Sequence, residues 1–374
     1  MAAIIETATP FQAQWPKRHD PALKSLISKV GRVFWNIISV VIFPIGLVRL
    51  AGYYLRNLSL RCIIPGTPHL DAPIRSYWDI AKIITRLLFN PENFKADLTK
   101  EGEYRLKEHG GEPVKLTAPD GAHLDGAFFP DKHRKKVILF AGGNVEQWET
   151  QIGLDILKPL GASILFINPR GVGKSSGQRY EDGYALDTYT ACEYLIHKQG
   201  IDPEDIVFTG FSMGGANTTR GASLIQEKHP DKKISISNIN SFANLHLEVQ
   251  AFLKNKGFFA AIVRIGTRFL NFDMDVKKDW DTLQGEKYIF YNPNDPVIPL
   301  PAQLATAVKK EPIGKSHLIE LHAFRDHIPF KREDELNAFY DVMRKLLQIQ
   351  PSWWDWMKFK SPPTLEKRTI AQVA

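Results

Sequence analysis

A serine hydroxyl becomes a useful nucleophile only when a base takes its proton, and the base works best when an acid orients it. This chain offers the three residue types in the order serine, acid, histidine. Ser212 stands in Gly210-Phe211-Ser212-Met213-Gly214-Gly215. Glycines placed this way let a serine occupy a tight strand-to-helix turn with its Oγ clear of the backbone. The spacing predicts a strand over 206–209 before it and a helix over about 214–226 after it. The start of that helix aims free N–H groups and a positive dipole end at the point where charge would develop if Ser212 attacked a carbonyl. The same letters would also suit a plain small-residue turn packed under a helix. The expected acid is Asp295, in Asn292-Pro293-Asn294-Asp295-Pro296, and the expected base is His327, in Arg325-Asp326-His327-Ile328-Pro329. Each follows a strand-like run at the edge where Ser212 should emerge. His322 sits at a strand end, where a structural role suits it. Asp273, Asp275 and Asp326 are alternative acids, the last too near His327 in sequence to orient its ring.

A developing oxyanion needs two donors. The N–H of Met213, directly after the serine, is one candidate, and a backbone N–H of the turn Gly142-Gly143-Asn144 is the other. A bare strand-end turn is the alternative reading of that triplet. Gly171–Ser176, GVGKSS, invites comparison with a phosphate-binding loop, but Asn168 stands where that motif requires its first glycine, so the motif fails.

The elements that must position these residues are legible from 113 onward. Segments 114–118 and 123–129 flank Pro119-Asp120-Gly121 and predict an antiparallel hairpin. Further strands are expected over 136–141, 163–168, 234–239, 287–291 and 317–321, with helices over 184–197 and 333–348. Strands alternating with helices imply an α/β fold with a mostly parallel sheet and helices on both faces.

At 374 residues, 44% hydrophobic and 24% charged, the chain can bury a large core, and global disorder is excluded. Its net charge of +7 favours acidic partners. The basic residues are interleaved with apolar ones, which points to a membrane surface and away from nucleic acid. Cys62 and Cys192 lack metal-ligand spacing, and neither a metal nor a cofactor is expected. Residues 1–111 read as a helical accessory region. Its apolar stretch 33–55 is broken by Pro44 and Arg49, and its basic flanks and aromatics suit an interfacial or re-entrant anchor better than the alternative, a buried helical hairpin. Residues 74–89 repeat apolar positions at helical spacing. Within a main domain over 112–348, the stretch of about 241–286 is placed to be a cap, apolar with Lys and Arg interleaved, or a pair of ordinary packing helices. The tail 349–374 carries Trp353, Trp354 and Trp356 beside Lys358 and Lys360.

These motifs, taken in order, resemble the α/β-hydrolase superfamily over roughly 112–348. The branch that carries Arg-Gly-x-Gly-x-Ser-x-Gly and then Gly-x-Ser-x-Gly-Gly contains membrane-associated lipid and acyl-ester hydrolases. Arg170–Gly177, Gly210–Gly215, Asn294–Pro299 and His327 fit that pattern. The Asn-Pro-Arg-Gly-Val-Gly form is also similar to that of a hydrolase-like group found in chlamydiae and legionellae. The resemblance implies an α/β-hydrolase fold with a catalytic triad of Ser212, Asp295 and His327. It further implies an oxyanion hole from Met213 and Asn144 and a carboxylic ester or thioester of lipid-like character as substrate. One departure bears on activity: the histidine this branch places before Gly143 is Gly142 here. A catalytically weak, membrane-tethered interaction module is therefore the competing expectation.

Overall fold

The computed structural model describes residues 11–14, 98–131, 135–144, 146–150, 153–177, 181–245, 247, 274–309, 316–322 and 327–349. The stretches 33–55 and 74–89, most of the expected cap and the tryptophan-rich tail lie outside them. In chain order the described elements are β1 (Phe11–Gln12), α1 (Thr99–His109), β2 (Glu112–Thr117), β3 (His123–Phe129), β4 (Val137–Ala141), α2 (Gly153–Leu157) and β5 (Ser163–Ile167). There follow α3 (Glu181–His197), β6 (Ile206–Phe211), α4 (Met213–Lys228), β7 (Ser235–Ile239), α5 (Val276–Thr282), β8 (Lys287–Tyr291), α6 (Leu304–Val308), β9 (His317–Glu320) and α7 (Glu333–Leu346).

The strands form one sheet in the order β1-β2-β3-β5-β4-β6-β7-β8-β9. β2–β3 and β3–β5 are antiparallel, and the other pairs are parallel. The hairpin expected from Pro119-Asp120-Gly121 is present, with Gly121 at φ 85° in its turn. Unforeseen was β1, which joins the sheet edge beside β2 from nearly a hundred residues upstream.

β4 is apolar at every position because both faces of the sheet are covered. On β4, Val137 and Leu139 enter one core with Leu165, Tyr189, Ile225 and Trp280. Ile138 and Phe140 enter the other with Phe166, Leu154, Phe290 and Phe339. That is the period of two expected of a strand between layers. Helix α7 shows the helical counterpart: Leu336, Phe339, Tyr340 and Met343 pack on the second core. Its first turn carries Glu333, Asp334 and Glu335 and its last turn Arg344 and Lys345, a distribution that complements the helix dipole.

This stack puts the carboxyl ends of β4, β6, β7, β8 and β9 on one edge, the position at which open α/β sheets present their sites. The described flanks of the expected cap belong to the body, where Phe242 bridges Gln303, Asn244 bridges Asp275, and Asp275 caps α5 through Lys278 N–H. Among the described residues no helix is long and apolar enough to cross a membrane.

Candidate active site

Ser212 joins β6 to α4 with φ 55° and ψ −122°. A serine held at positive φ costs about 1–3 kcal/mol, which the surrounding structure must supply. Its neighbours show why they are glycines. A Cβ on Gly214 would come within 2.2 Å of the carbonyl oxygens of Ala141 and Gly142, and one on Gly210 within 2.3 Å of Gly214 O. The start of α4 is therefore pressed against the end of β4, and no side chain fits between them. Ser212 N–H donates to Ile239 O at 2.8 Å, which ties the turn to β7.

The serine hydroxyl donates to His327 Nε2 at 2.9 Å, and His327 Nδ1–H donates to Asp295 Oδ2 at 2.6 Å. With Nδ1 protonated against the carboxylate, Nε2 is left as the acceptor for the serine proton. Asp295 has a side chain with no solvent exposure. Its second oxygen, Oδ1, accepts from the N–H groups of Val297 at 2.7 Å and Ile298 at 3.0 Å. The carboxylate is thereby aimed from both sides. The imidazole lies over the Phe211 ring, with centroids 4.9 Å apart.

The structure thus brings together Ser212, His327 and Asp295, expected from sequence. Asp275 does not join them, being the cap of α5, and Asp273 and Asp326 lie outside the described residues. His322, at the end of β9, is held elsewhere: its N–H donates to Glu335 Oε1 at 2.6 Å. Met213 opens α4, where the first backbone N–H groups of a helix lack intrahelical acceptors. Asn144 follows the Ala141–Gly142 segment against which Gly214 is pressed.

Two residues that sequence reasoning missed hold this arrangement. Asn240, at the end of β7 with φ 44°, donates through Nδ2 to His327 O at 2.9 Å and accepts at Oδ1 from Asn292 N–H at 2.9 Å. It knits the ends of β7 and β8 to the histidine loop. Glu146 accepts from the Gly143 N–H. Burial pushes its carboxyl above the ordinary glutamate range, and the Gly143 bond and the His327 imidazole oppose that rise. An asparagine after a strand and a glutamate inside a loop carry no signal of type or spacing that would mark them.

The 171–176 loop has a structural occupation. Ser175 Oγ donates to Asn168 O at 2.7 Å and accepts from Asp125 N–H at 2.9 Å. Ser176 Oγ accepts from His123 N–H at 2.9 Å. Asn168 itself accepts from Trp148 N–H at 2.8 Å and donates to Glu149 at 3.1 Å, joining the loops after β4 and β5. Arg170, fully buried, is clamped between Asp187 and Asp120.

A family model described as alpha/beta hydrolase fold matches residues 136–290. The YfhR protein of Salmonella typhi is 30% identical over 112 residues, 28% of this chain and 38% of that protein. Rv2307c of Mycobacterium tuberculosis is 32% identical over 109 residues, 28% of this chain and 39% of that protein. The chain therefore spans well under half the length of these relatives. A solved alpha-beta hydrolase from Vibrio vulnificus superposes with a TM-score of 0.51 at 20% identity, covering 71% of this chain and 92% of that one. Acetyl xylan esterase from Paenibacillus sp. R4 gives 0.51 at 14% identity, covering 64% and 84%. The sheet order, the serine turn between β6 and α4, and the family model over 136–290 together show the α/β-hydrolase fold.

Proposed function

We propose that the chain is a serine hydrolase that cleaves a carboxylic ester or thioester of an acyl, lipid-like substrate. The observation that carries the reading is the continuous line from Ser212 Oγ through His327 to Asp295 at 2.9 and 2.6 Å, set on a positive-φ turn at a helix start. An esterase shares the fold.

In this mechanism Ser212 Oγ attacks the acyl carbon as His327 Nε2 takes its proton. Asp295 holds the tautomer and stabilises the imidazolium. The N–H groups of Met213 and Asn144 receive the oxyanion. His327 then protonates the departing alcohol or thiol, leaving the acyl group on Ser212. Water, deprotonated by the same histidine, releases the acid and restores the serine. The lipid-like character rests on the apolar and basic composition of 241–286. Attachment to a membrane surface through 33–55 rests on sequence in the same way.

The competing module without activity draws on Gly142. The side-chain bonds of the triad count against it, because a fold kept only for binding has no need of a buried acid aimed at the histidine.

The test is turnover of p-nitrophenyl esters of rising acyl length, and of acyl thioesters, by the full chain with detergent present. The reading expects turnover that rises with chain length and is lost in Ser212→Ala. Turnover equal in the two proteins, or absent from folded wild type on every ester, would overturn it.

A further inference from the structure

Gly142 removes the side chain that the resembling branch uses to brace the oxyanion loop, so something else must fix that loop if Ser212 is to work. The chain from Gly143 to Glu146 closes on itself. Glu146 N–H donates to Gly143 O at 3.3 Å, closing a four-residue turn, and the Glu146 carboxylate reaches back to accept from Gly143 N–H. Both backbone polar groups of Gly143 are thus taken by one residue, in the reciprocal manner of a helix capping box. A turn of this kind leaves the N–H of its second residue, here Asn144, without an acceptor inside the turn.

The other side of Gly143 is fixed by packing. A Cβ there would lie 3.3 Å from the Phe211 ring, and that ring is the one beneath His327. Glu146, Gly143, Phe211 and His327 therefore form one connected series. The half-buried Glu146 carboxylate gives up part of its hydration, and its bond to the loop amide offsets that loss.

We propose that Glu146 is a positioning residue for the oxyanion loop: by occupying the Gly143 N–H it locks the turn and presents the Asn144 N–H to the oxyanion. The inference rests on the hydrolase reading above and assigns to Glu146 the bracing that Gly142 cannot provide. It acts on the rate of the chemical step and not on substrate affinity, because the oxyanion exists only in the transition state and the tetrahedral intermediate.

The experiment compares wild type, Glu146→Gln and Glu146→Ala in p-nitrophenyl ester turnover, alongside exchange of the Gly143 amide by NMR. Glutamine keeps an acceptor of the same reach, and alanine removes it. The expected result for alanine is a kcat lowered by about 10–100-fold with KM little changed, somewhat less than outright loss of an oxyanion donor. Glutamine should recover most of that loss, and the Gly143 amide should exchange slowly in wild type and in Glu146→Gln. Three results overturn the proposal while leaving the hydrolase reading intact: kcat for alanine within about threefold of wild type, glutamine no better than alanine, or a fast-exchanging Gly143 amide in active wild type. Wild type without Ser212-dependent turnover removes both. Should the alanine variant fail to fold, the glutamine variant and the wild-type exchange measurement still decide.

Discussion

The two sides of the site are assembled in different ways. On one side, Ser212, His327 and Asp295 come from loops after three different strands. They are joined by side-chain bonds across 115 and 32 residues of sequence. On the other side, the loops after β4 and β5 are held largely by side chains that bond to backbone. Glu146 holds an amide three residues away, and Asn168 holds one twenty away. The first side holds the groups proposed to react, joined to one another side chain to side chain. The second is a brace whose task is to place backbone. Substitutions on the first side should remove chemistry and leave the fold, and those on the second should increasingly do the reverse.

The largest expected effect is at Ser212. Ser212→Ala should lower kcat by about 10⁴-fold or more without unfolding the protein. Ser212→Gly should lose as much activity yet unfold later, gaining up to about 1 kcal/mol, because glycine tolerates the positive φ that serine adopts under strain. A denaturant titration of both variants checks this.

Next is Asp295→Asn. The amide oxygen should stay on the Val297 and Ile298 N–H groups, which turns the NH₂ toward His327 Nδ1 and forces the proton onto Nε2. The histidine then cannot accept from Ser212, and kcat should fall by about 10⁴-fold with stability nearly unchanged.

Asn240→Ala lies between the two regimes. It removes the bonds to His327 O and Asn292 N–H. Leaving those buried groups unpaired should cost about 1–3 kcal/mol in stability. A loosened histidine loop should lower kcat by about 10-fold, in line with sub-ångström demands on geometry.

Asp187→Asn sharpens the contrast from the opposite end. It leaves the buried Arg170 short of its main counter-charge and should cost about 3–5 kcal/mol of stability, while kcat per folded molecule stays close to wild type. The smallest effect belongs to Glu149. Burial raises its carboxyl above the ordinary glutamate range, so folding favours the protonated form. Its contribution is then fullest below the unfolded pKa and is lost as pH rises through the higher folded one. Glu149→Gln keeps an acceptor for Asn168 and should melt about 2–4 °C above wild type at neutral pH, with the gap closing in acid.

The same contrast explains what could be read from the chain beforehand. Ser212, Asp295 and His327 were legible because each is a distinctive type at the end of a strand-like run, in an order that one sheet edge can reconcile. The strands were legible because Ile138, Phe140 and their neighbours are apolar without a break, as burial on both faces requires. Asn240 and Glu146 were not, since a polar residue that bonds to backbone can be almost any Asn or Glu in a loop. β1 was hidden for another reason: two residues, Phe11 and Gln12, are too few to show a period.

The most direct measurement of the central claim is labelling of the full chain with a fluorophosphonate, followed by mass spectrometry of its peptides. The expected result is a single adduct on Ser212, absent from Ser212→Ala and formed far more slowly in Asp295→Asn. An adduct that persists in Ser212→Ala, or folded wild type that takes up no label, would contradict it.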